Sequence, residues 1–481
     1  MTKTITELGI TVMPEYFQSD GVDSVLEKVV NVARATSVTT SPYVVTRAPK
    51  GVGHREPPLD GGAGKHRLLD RPLWGKHEVW MEAACSFTPQ ANLYSELAYQ
   101  PPQTDTVTRE RGAVVGEFLD AAKVRGLETW MQIQAAIPPC HRVQFGGPTD
   151  GDRPLLPNGT AVPNRVDNNA SLASPALRSY MQAFVTDLCR AYPQVDGFKF
   201  DWPEYPAYHF DSLFFDFNPA ASRFAAPLGL DFEVLRRGCA SFLKDLTTGA
   251  VRHKSIALDD FAIFRESLFA AYPVLADLVA FRTAIVTDYA RFLRDLLNEA
   301  SAGRCSMFLQ TFPPPLNILT GFDLSAAGKH CDMVGVKLYT MHWPLIERNY
   351  LDSLITRASF TPESVARSLS VLLALSPRNE RDPISIRYPE PDEPHPCATA
   401  DLIEKTRTAK ASIPQGTRFC SITHAYGPIA DFVRRFEAAA LGAGGAVHIN
   451  RFGYLSDAKL QAIGARMDGS VAASGEARAA E

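Results

Sequence analysis

Short apolar segments alternate with amphipathic segments along the chain. The first predicted strand, residues 8–14, is followed by a helix that begins with a capping box formed by Ser24 and Glu27. A later helix begins at Ser174 and Pro175 and repeats apolar residues at helical spacing. Strands that alternate with helices in this way predict βα units and a parallel sheet.

Eight such units can be counted. Their predicted strands are residues 8–14, 37–45, 127–139, 195–202, 305–315, 333–343, 419–427 and 446–454. We find no signal for an antiparallel hairpin and no second cluster of strands, so the pattern predicts a single decorated (β/α)8 TIM barrel over residues 1–466. The Gly-rich, Pro-rich or polar stretches around residues 46–76, 142–169, 205–256 and 378–398 are expected to be long βα-loop insertions. The small, polar segment 467–481 is expected to be a disordered tail.

A doubly wound open sheet is the alternative architecture. It is disfavoured because no GxGxxG motif follows the first strand, where a dinucleotide would bind. A P-loop is also absent from the sequence. We therefore expect no cofactor.

Composition narrows the class of protein. The 481 residues include 49 Lys and Arg against 53 Asp and Glu, a formal net charge of −4, which argues against a nucleic-acid-binding protein. The sequence shows neither a signal peptide nor an apolar run of membrane-spanning length, so we expect a cytoplasmic protein with no membrane partner. The eight cysteines are scattered singly, so no cysteine-based metal site is expected.

In a (β/α)8 barrel the active site forms at the carboxyl ends of the strands. The fourth strand carries the sharpest chemical signal, because alternation places Phe198 and Phe200 on one face and Lys199 and Asp201 on the other. Asp201 is then at the inner rim of the barrel, with Glu204 just above it. Two carboxyl groups at one strand end are typical of the paired acids of glycosidases.

This segment, VDGFKFDWPEYP, resembles the glycoside-hydrolase-like (β/α)8 proteins of the α-amylase and α-fucosidase type. The resemblance covers roughly residues 130–240. It includes the preceding stretch Asp167-Asn168-Asn169 and a helix that ends in AYP. Strand four of those proteins ends in DG-x-x-x-D, and its last Asp is the catalytic nucleophile of the true hydrolases. The resemblance implies this role for Asp201.

Two departures matter for the second catalytic group. The segment is similar to the chitinase-type signature DG-x-D-x-D-x-E but differs from it at two positions. Lys199 stands in place of the middle Asp, and Pro203 is inserted before Glu204. The predicted seventh strand ends in His424, so a glutamate nucleophile there is disfavoured. Our candidates for the acid/base are Glu204 first, Glu82 second and Glu15 third.

Other polar or aromatic residues at predicted strand ends are candidates for substrate binding. Trp202 and Trp343 are suited to stacking on a sugar ring. Lys337 is expected to pair with Asp201, with a Schiff base as its alternative role. Arg142 is placed to hold an acidic sugar, and His424 to bind hydroxyl groups. The full set of predicted substrate-binding residues is Glu15, Gln134, Arg142, Trp202, Lys337, Tyr339, Trp343, His424 and Asn450.

Three hypotheses of function follow. The first is a hydrolase of the glycosidic bond in a small, neutral or weakly charged carbohydrate or glycoside, which uses no metal. The second is a metal-dependent sugar isomerase, epimerase or lyase with Glu15, Asp201 and His424 as ligands. The third is a non-catalytic sugar-binding barrel.

Overall fold

The structure is a computed structural model that describes residues 5–59, 67–165, 167–358, 360–376 and 382–467. The predicted disordered tail lies outside these residues, apart from Met467, which ends the last helix. Within the described ranges the strands are β1 (Glu7–Thr11), β2 (Ser37–Thr40), β3 (Tyr43–Ala48), β4 (His54–Glu56), β5 (Val79–Cys85), β6 (Glu128–Gln134), β7 (Gly197–Asp201), β8 (Ser306–Thr311), β9 (Met333–Leu338), β10 (Arg418–His424) and β11 (Ala446–Asn450).

Eight of these strands form a closed parallel barrel, which confirms the predicted TIM barrel. Their order around the barrel is β1, β11, β10, β9, β8, β7, β6 and β2. The ring is closed by β1, which pairs in parallel with β2 on one side and with β11 on the other. All eight carboxyl ends therefore open on the same face of the molecule.

Helices and short helical turns surround the barrel. The α-helices are α1 (Pro14–Asp20), α2 (Val22–Glu27), α3 (Ala91–Tyr94), α4 (Thr106–Arg111), α5 (Ala113–Val124), α6 (Pro175–Ala191), α7 (Pro219–Ala225), α8 (Phe232–Thr248), α9 (Phe261–Ala271), α10 (Pro273–Ser301), α11 (Leu316–Thr320), α12 (Leu324–Gly328), α13 (His342–Ala358), α14 (Pro362–Leu372), α15 (Thr399–Ser412), α16 (Ile429–Ala443) and α17 (Asp457–Met467). Within the described ranges, no single helix is long and apolar enough to cross a membrane, although the bent pair α9 and α10 passes that test when taken together.

A small antiparallel sheet stands beside the barrel and corrects the prediction that no such sheet exists. The predicted strand 37–45 is in fact two strands, since β2 ends at Thr40 in the barrel and β3 begins at Tyr43 in a sheet of order β3, β5, β4. The stretch predicted as a surface loop supplies β4, where Arg55 and Glu56 are buried. No hairpin signal marks this sheet because a long segment, rather than a tight turn, joins β4 to β5.

The barrel interior is packed with side chains. Trp130, Phe308, Met333, Cys420 and Ile422 form one buried cluster, and Lys199 Nζ lies 4.9 Å from the centroid of the Phe308 ring. Phe198 and Phe200 belong instead to the main core outside the strands, as the alternation predicts. A filled barrel leaves its carboxyl face as the place where a substrate can bind.

Candidate active site

A cleft of about 800 Å³, including the part open to solvent, lies at the carboxyl ends of the barrel strands. The residues that line it are Met13, Arg67, Gln132, Gln134, Arg142, Val143, Asp201, Trp202, Tyr208, His209, Tyr339, His342, Leu345, Asn349, His424, Asn450 and Arg451. Seven of the residues predicted from the sequence to act at the site are brought together here from five different barrel strands or the loops after them: Gln134, Arg142, Asp201, Trp202, Tyr339, His424 and Asn450. The loop insertions and α13 form the walls.

Asp201 is the only acidic residue among the described residues that line this cleft. It ends β7, and its Oδ1 lies 3.0 Å from Lys337 Nζ on β9. Its Oδ2 accepts a hydrogen bond of 3.3 Å from Gln134 Nε2 on β6. The Lys337 side chain is 2% exposed and that of Asp201 is 14% exposed, so the carboxylate faces the cleft and the ammonium lies behind it.

Trp202 follows Asp201 directly and has a left-handed backbone, with φ of 53°. This conformation costs a non-glycine residue about 1–2 kcal/mol. The indole is nearly buried and packs edge to face on Tyr208, with ring centroids 5.8 Å apart. Its Nε1 has no hydrogen-bond partner. The turn at Trp202 thus places an indole ring, with an N–H group that has no hydrogen-bond partner, beside the carboxylate of Asp201.

The opposite side of the cleft presents arginines. Arg142 Nη1 lies 3.0 Å from Glu15 Oε1, and its Nη2 pairs with Glu56. Arg451 Nη1 donates to the other oxygen of Glu56 at 3.0 Å, and the Tyr43 hydroxyl donates to Glu15 at 2.9 Å. Both glutamates are fully buried and neither lines the cleft. Burial raises the pKa of Glu15, although the charge of Arg142 opposes the shift.

Three imidazoles line the cleft, and two of them, His424 and His342, differ in what their Nδ1 atoms face. The backbone N–H of Tyr426 donates to His424 Nδ1 at 3.1 Å, so this nitrogen is an acceptor and the proton of neutral His424 is on Nε2. His342 Nδ1 instead lies 2.9 Å from the Tyr208 hydroxyl, which can either donate or accept. The Nδ1 of His342 can therefore either donate or accept a hydrogen bond, whereas the Nδ1 of His424 only accepts one.

Neutral hydrogen-bonding groups complete the cleft. Gln134 Oε1 and Asn450 Oδ1 are covered and have no hydrogen-bond partner. Burial raises the pKa of Tyr339 well above its usual value, so its hydroxyl remains a donor. Such groups are suited to the hydroxyls of a sugar.

Glu204 does not line the cleft. Its carboxylate is fully buried and accepts hydrogen bonds from Thr311 Oγ1 at 2.7 Å, from Thr320 Oγ1 at 2.5 Å and from the backbone N–H of Phe312 at 3.1 Å. Burial raises its pKa. With three donors around it, Glu204 ties the turn after β7 to the end of β8, and its predicted acid/base role has no geometric support.

Two further predicted residues also lie away from the cleft. Glu82 is an exposed residue of β5, in the small antiparallel sheet, where it is paired in register with Thr46. Trp343 was expected at a strand end but lies in α13, where it is 4% exposed and has Lys405 Nζ 5.5 Å from its ring centroid. The strand β9 ends five residues before Trp343, so the helix turns this side chain into the core.

Several lining residues were not predicted from the sequence. Arg451 and His342 lie inside the predicted eighth and sixth strands, just beyond the points where the observed strands β11 and β9 end, and this position is a signal that points to both. Arg67, Tyr208 and His209 lie in long insertions, where no periodic pattern indicates their direction. Within the described residues, no group of three or more His, Cys, Asp or Glu side chains is placed to hold a metal ion, so the predicted ligands Glu15, Asp201 and His424 do not converge.

No protein-family model and no curated protein matches this sequence. Solved structures do match. The catalytic domain of a β-amylase from Paenibacillus polymyxa has 7% sequence identity and a TM-score of 0.50, with 98% of this chain and 100% of that chain covered. A β-galactosidase from Bacillus circulans sp. alkalophilus has 11% identity and a TM-score of 0.45, with 93% and 50% covered. For α-L-fucosidase isoenzyme 2 from Paenibacillus thiaminolyticus the values are 11% and 0.42, with 96% and 48% covered.

This chain therefore spans about half the length of the latter two proteins. At these identities the likeness shows the fold alone, a barrel of the kind that glycoside hydrolases also have.

Proposed function

We propose that this protein is a glycoside hydrolase that cleaves the glycosidic bond of a small carbohydrate or glycoside, with Asp201 acting at the anomeric carbon. The observation that carries this proposal is the carboxylate at the end of β7, the only one that the described residues present to the cleft, oriented by Lys337 and Gln134. Positive charge develops on the anomeric carbon as the bond breaks, and a fixed carboxylate stabilises that charge or attacks the carbon.

The leaving oxygen also needs a proton. We assign this step to His342, because its Nδ1 faces a hydroxyl that can accept a proton, whereas the Nδ1 of His424 faces a backbone N–H. In this scheme His424, Tyr339, Gln134 and Trp202 bind substrate hydroxyls or the sugar face. Glu204 is a positioning residue that fixes the turn after Asp201.

The test compares Asp201→Asn with wild-type protein on a panel of aryl and natural glycosides. We expect kcat/KM to fall about 1000-fold or more for every accepted substrate, because charge stabilisation at the reacting carbon is lost. Unchanged turnover would exclude the proposal. Sugar binding by wild-type protein without any product from the panel would instead support a non-catalytic sugar-binding barrel.

The proton donor is tested separately with His342→Asn. We expect kcat to fall about 100-fold on glycosides with poorly departing alcohols, since general acid catalysis of this kind contributes at least that factor. Nitrophenyl glycosides should be hydrolysed almost normally, because nitrophenolate departs without a proton. His424→Asn is the matched control. It should raise KM because substrate binding is weaker, and this increase should not depend on the leaving group.

A further inference from the structure

A second cleft of about 830 Å³, including the part open to solvent, adjoins the first. It lies between the small antiparallel sheet, which contributes His54 and Trp80, and the segment after β6, which contributes Gln144, Arg165 and Asn168. Val143 lines both clefts. The short 3-10 helix Val143–Phe145 therefore lies between the two clefts, which adjoin each other at Val143.

The charge of the second cleft is one-sided. Among the described residues that line it none is acidic, whereas the two arginines Arg55 and Arg165 both line it. The carboxylates that pair with the arginines, Glu78 at 2.8 Å and Asp167 at 3.0 Å, are not part of the lining. The cleft therefore attracts anions and presents guanidinium groups that can bind the oxygens of a carboxylate or sulfate.

Arg165 is the most enclosed of these groups. Its side chain is 3% exposed, stacks on Phe215 at 4.6 Å and is held by Asp167 and Asn169 through Nη2 alone. Its Nε has no hydrogen-bond partner. A buried N–H without a partner costs about 1–3 kcal/mol, which a bound anion would recover.

Neutral groups in the second cleft suit a sugar as well. Both amide atoms of Gln144 are covered and unpartnered, and the Trp80 indole has an unpartnered Nε1. Burial, with the charge of Arg142 added, lowers the pKa of His54, so this imidazole is a neutral hydrogen-bonding group near pH 7. An aromatic ring beside amide and imidazole groups is a usual surface for sugar recognition.

We propose that this second cleft is a subsite for an acidic sugar unit, one bearing a carboxylate or a sulfate, linked to the unit that occupies the first cleft at Asp201. The proposal rests on the proposed function, since it names the substrate as an acidic oligosaccharide. Arg165 and His54 bind the acidic group, while Trp80 and Gln144 contact the ring and its hydroxyls.

The experiment uses matched pairs of oligosaccharides with wild-type protein. The first comparison pairs each uronic-acid-containing hexasaccharide of a panel with the same compound after its carboxyl groups have been reduced. The second pairs a sulfated hexasaccharide with its desulfated form. Binding is measured by calorimetry at low and high salt, and hydrolysis by product analysis. We expect the acidic member of one pair to bind about 10-fold more tightly or better, with the difference reduced by salt.

The variant is Asn168→Asp, which adds one negative charge to the second cleft with almost no change of shape. We expect the affinity for the acidic hexasaccharide to fall about 10-fold through repulsion, with that for its neutral counterpart within 2-fold. Hydrolysis of a nitrophenyl monoglycoside, which fills only the first cleft, should not change. Asn158→Asp adds the same charge to an exposed loop residue outside the cleft and is the control.

The outcomes separate the two proposals. Three outcomes would overturn the acidic subsite even if glycosides are hydrolysed. They are equal affinity for the acidic and neutral members of both pairs, no binding of either member, and equal effects of the two aspartate variants. Selective binding of the acidic hexasaccharide, lost in Asn168→Asp but with no hydrolysis of any substrate, would retain the subsite and overturn the glycosidase. The two matched pairs show whether the group is a carboxylate or a sulfate.

Discussion

The two sides of the first cleft hold their charges in opposite order. On the β7 side an anion, Asp201, faces the cleft and a cation, Lys337, lies behind it. On the β1 and β11 side the cations Arg142 and Arg451 face the cleft, and the anions Glu15 and Glu56 lie behind them. Each side is close to neutral, yet the surfaces that meet a substrate differ in sign.

This difference gives the cleft a direction. A substrate that becomes positive at one atom and carries a negative group elsewhere is favoured in one orientation and disfavoured in the reverse one. The cations on the arginine side also continue into the second cleft, whose lining has the same sign. A buried ion pair is weak evidence for stability in itself. We infer that the buried pairs of this cleft serve to orient a ligand.

The largest expected effect comes from removing the shared anion of the arginine side. Glu56→Gln leaves two nearly buried guanidinium groups with one counter-ion fewer, so the free energy of unfolding should fall by about 3–5 kcal/mol in urea titrations. Glu393→Gln, which removes a partly exposed partner of Arg387, is the control and should cost less than about 1 kcal/mol. Equal losses of unfolding free energy in the two variants would mean that the buried ion-pair network contributes no more to stability than an exposed ion pair does.

A smaller effect is expected below Asp201, where Lys199 is buried in the barrel and its ammonium group lies against the ring of Phe308. Burial lowers the pKa of Lys199 from 10.5 to about 8. Between these values the unfolded chain binds more protons than the folded one, so this residue makes stability rise with pH from about 8 to 10.5. Lys199→Met should remove that slope and stabilise the protein at pH 7 by about 1–3 kcal/mol. An unchanged slope in the variant would show that Lys199 is not the group that titrates.

The smallest effect is expected for Glu204→Gln. Its three donors are two hydroxyls, which can reorient, and one backbone N–H, so the variant should lose about 1–2 kcal/mol of stability and change kcat less than about 5-fold. Glu204 and Asp201 lie three residues apart, so this variant and Asp201→Asn form a matched pair. If folded Glu204→Gln had no activity, Glu204 would be the acid/base after all.

The barrel was predictable because short segments rich in apolar and β-branched residues alternate with amphipathic helices along the chain. The strand signal failed at residues 37–45, where two strands of different sheets are joined by two residues and share one apolar pattern. It also failed at β4, because charged residues such as Glu56 are buried only through partners that lie far away in the sequence.

The site was predictable where a side chain follows a barrel strand directly. Asp201, Gln134, His424 and Asn450 lie at strand ends and all line the cleft. Glu204 was not predictable in the same way, since the turn at Trp202 decides which of two nearby carboxylates faces the cleft. The expectation of a neutral or weakly charged sugar came from the net charge of the whole chain, and a net charge contains no information about which charges face inward.

The barrel closes where β1 meets β11, and this seam joins the first and the last strand of the barrel. Glu15 lies just after β1, and Arg451 just after β11, so the arginine side of the cleft sits on the seam. During synthesis the chain emerges from its N-terminus, and Asp201 can meet Gln134 long before residue 451 exists. The carboxylate side is thus complete once Lys337 of β9 has been made, whereas the arginine side is completed only when the last strand closes the ring.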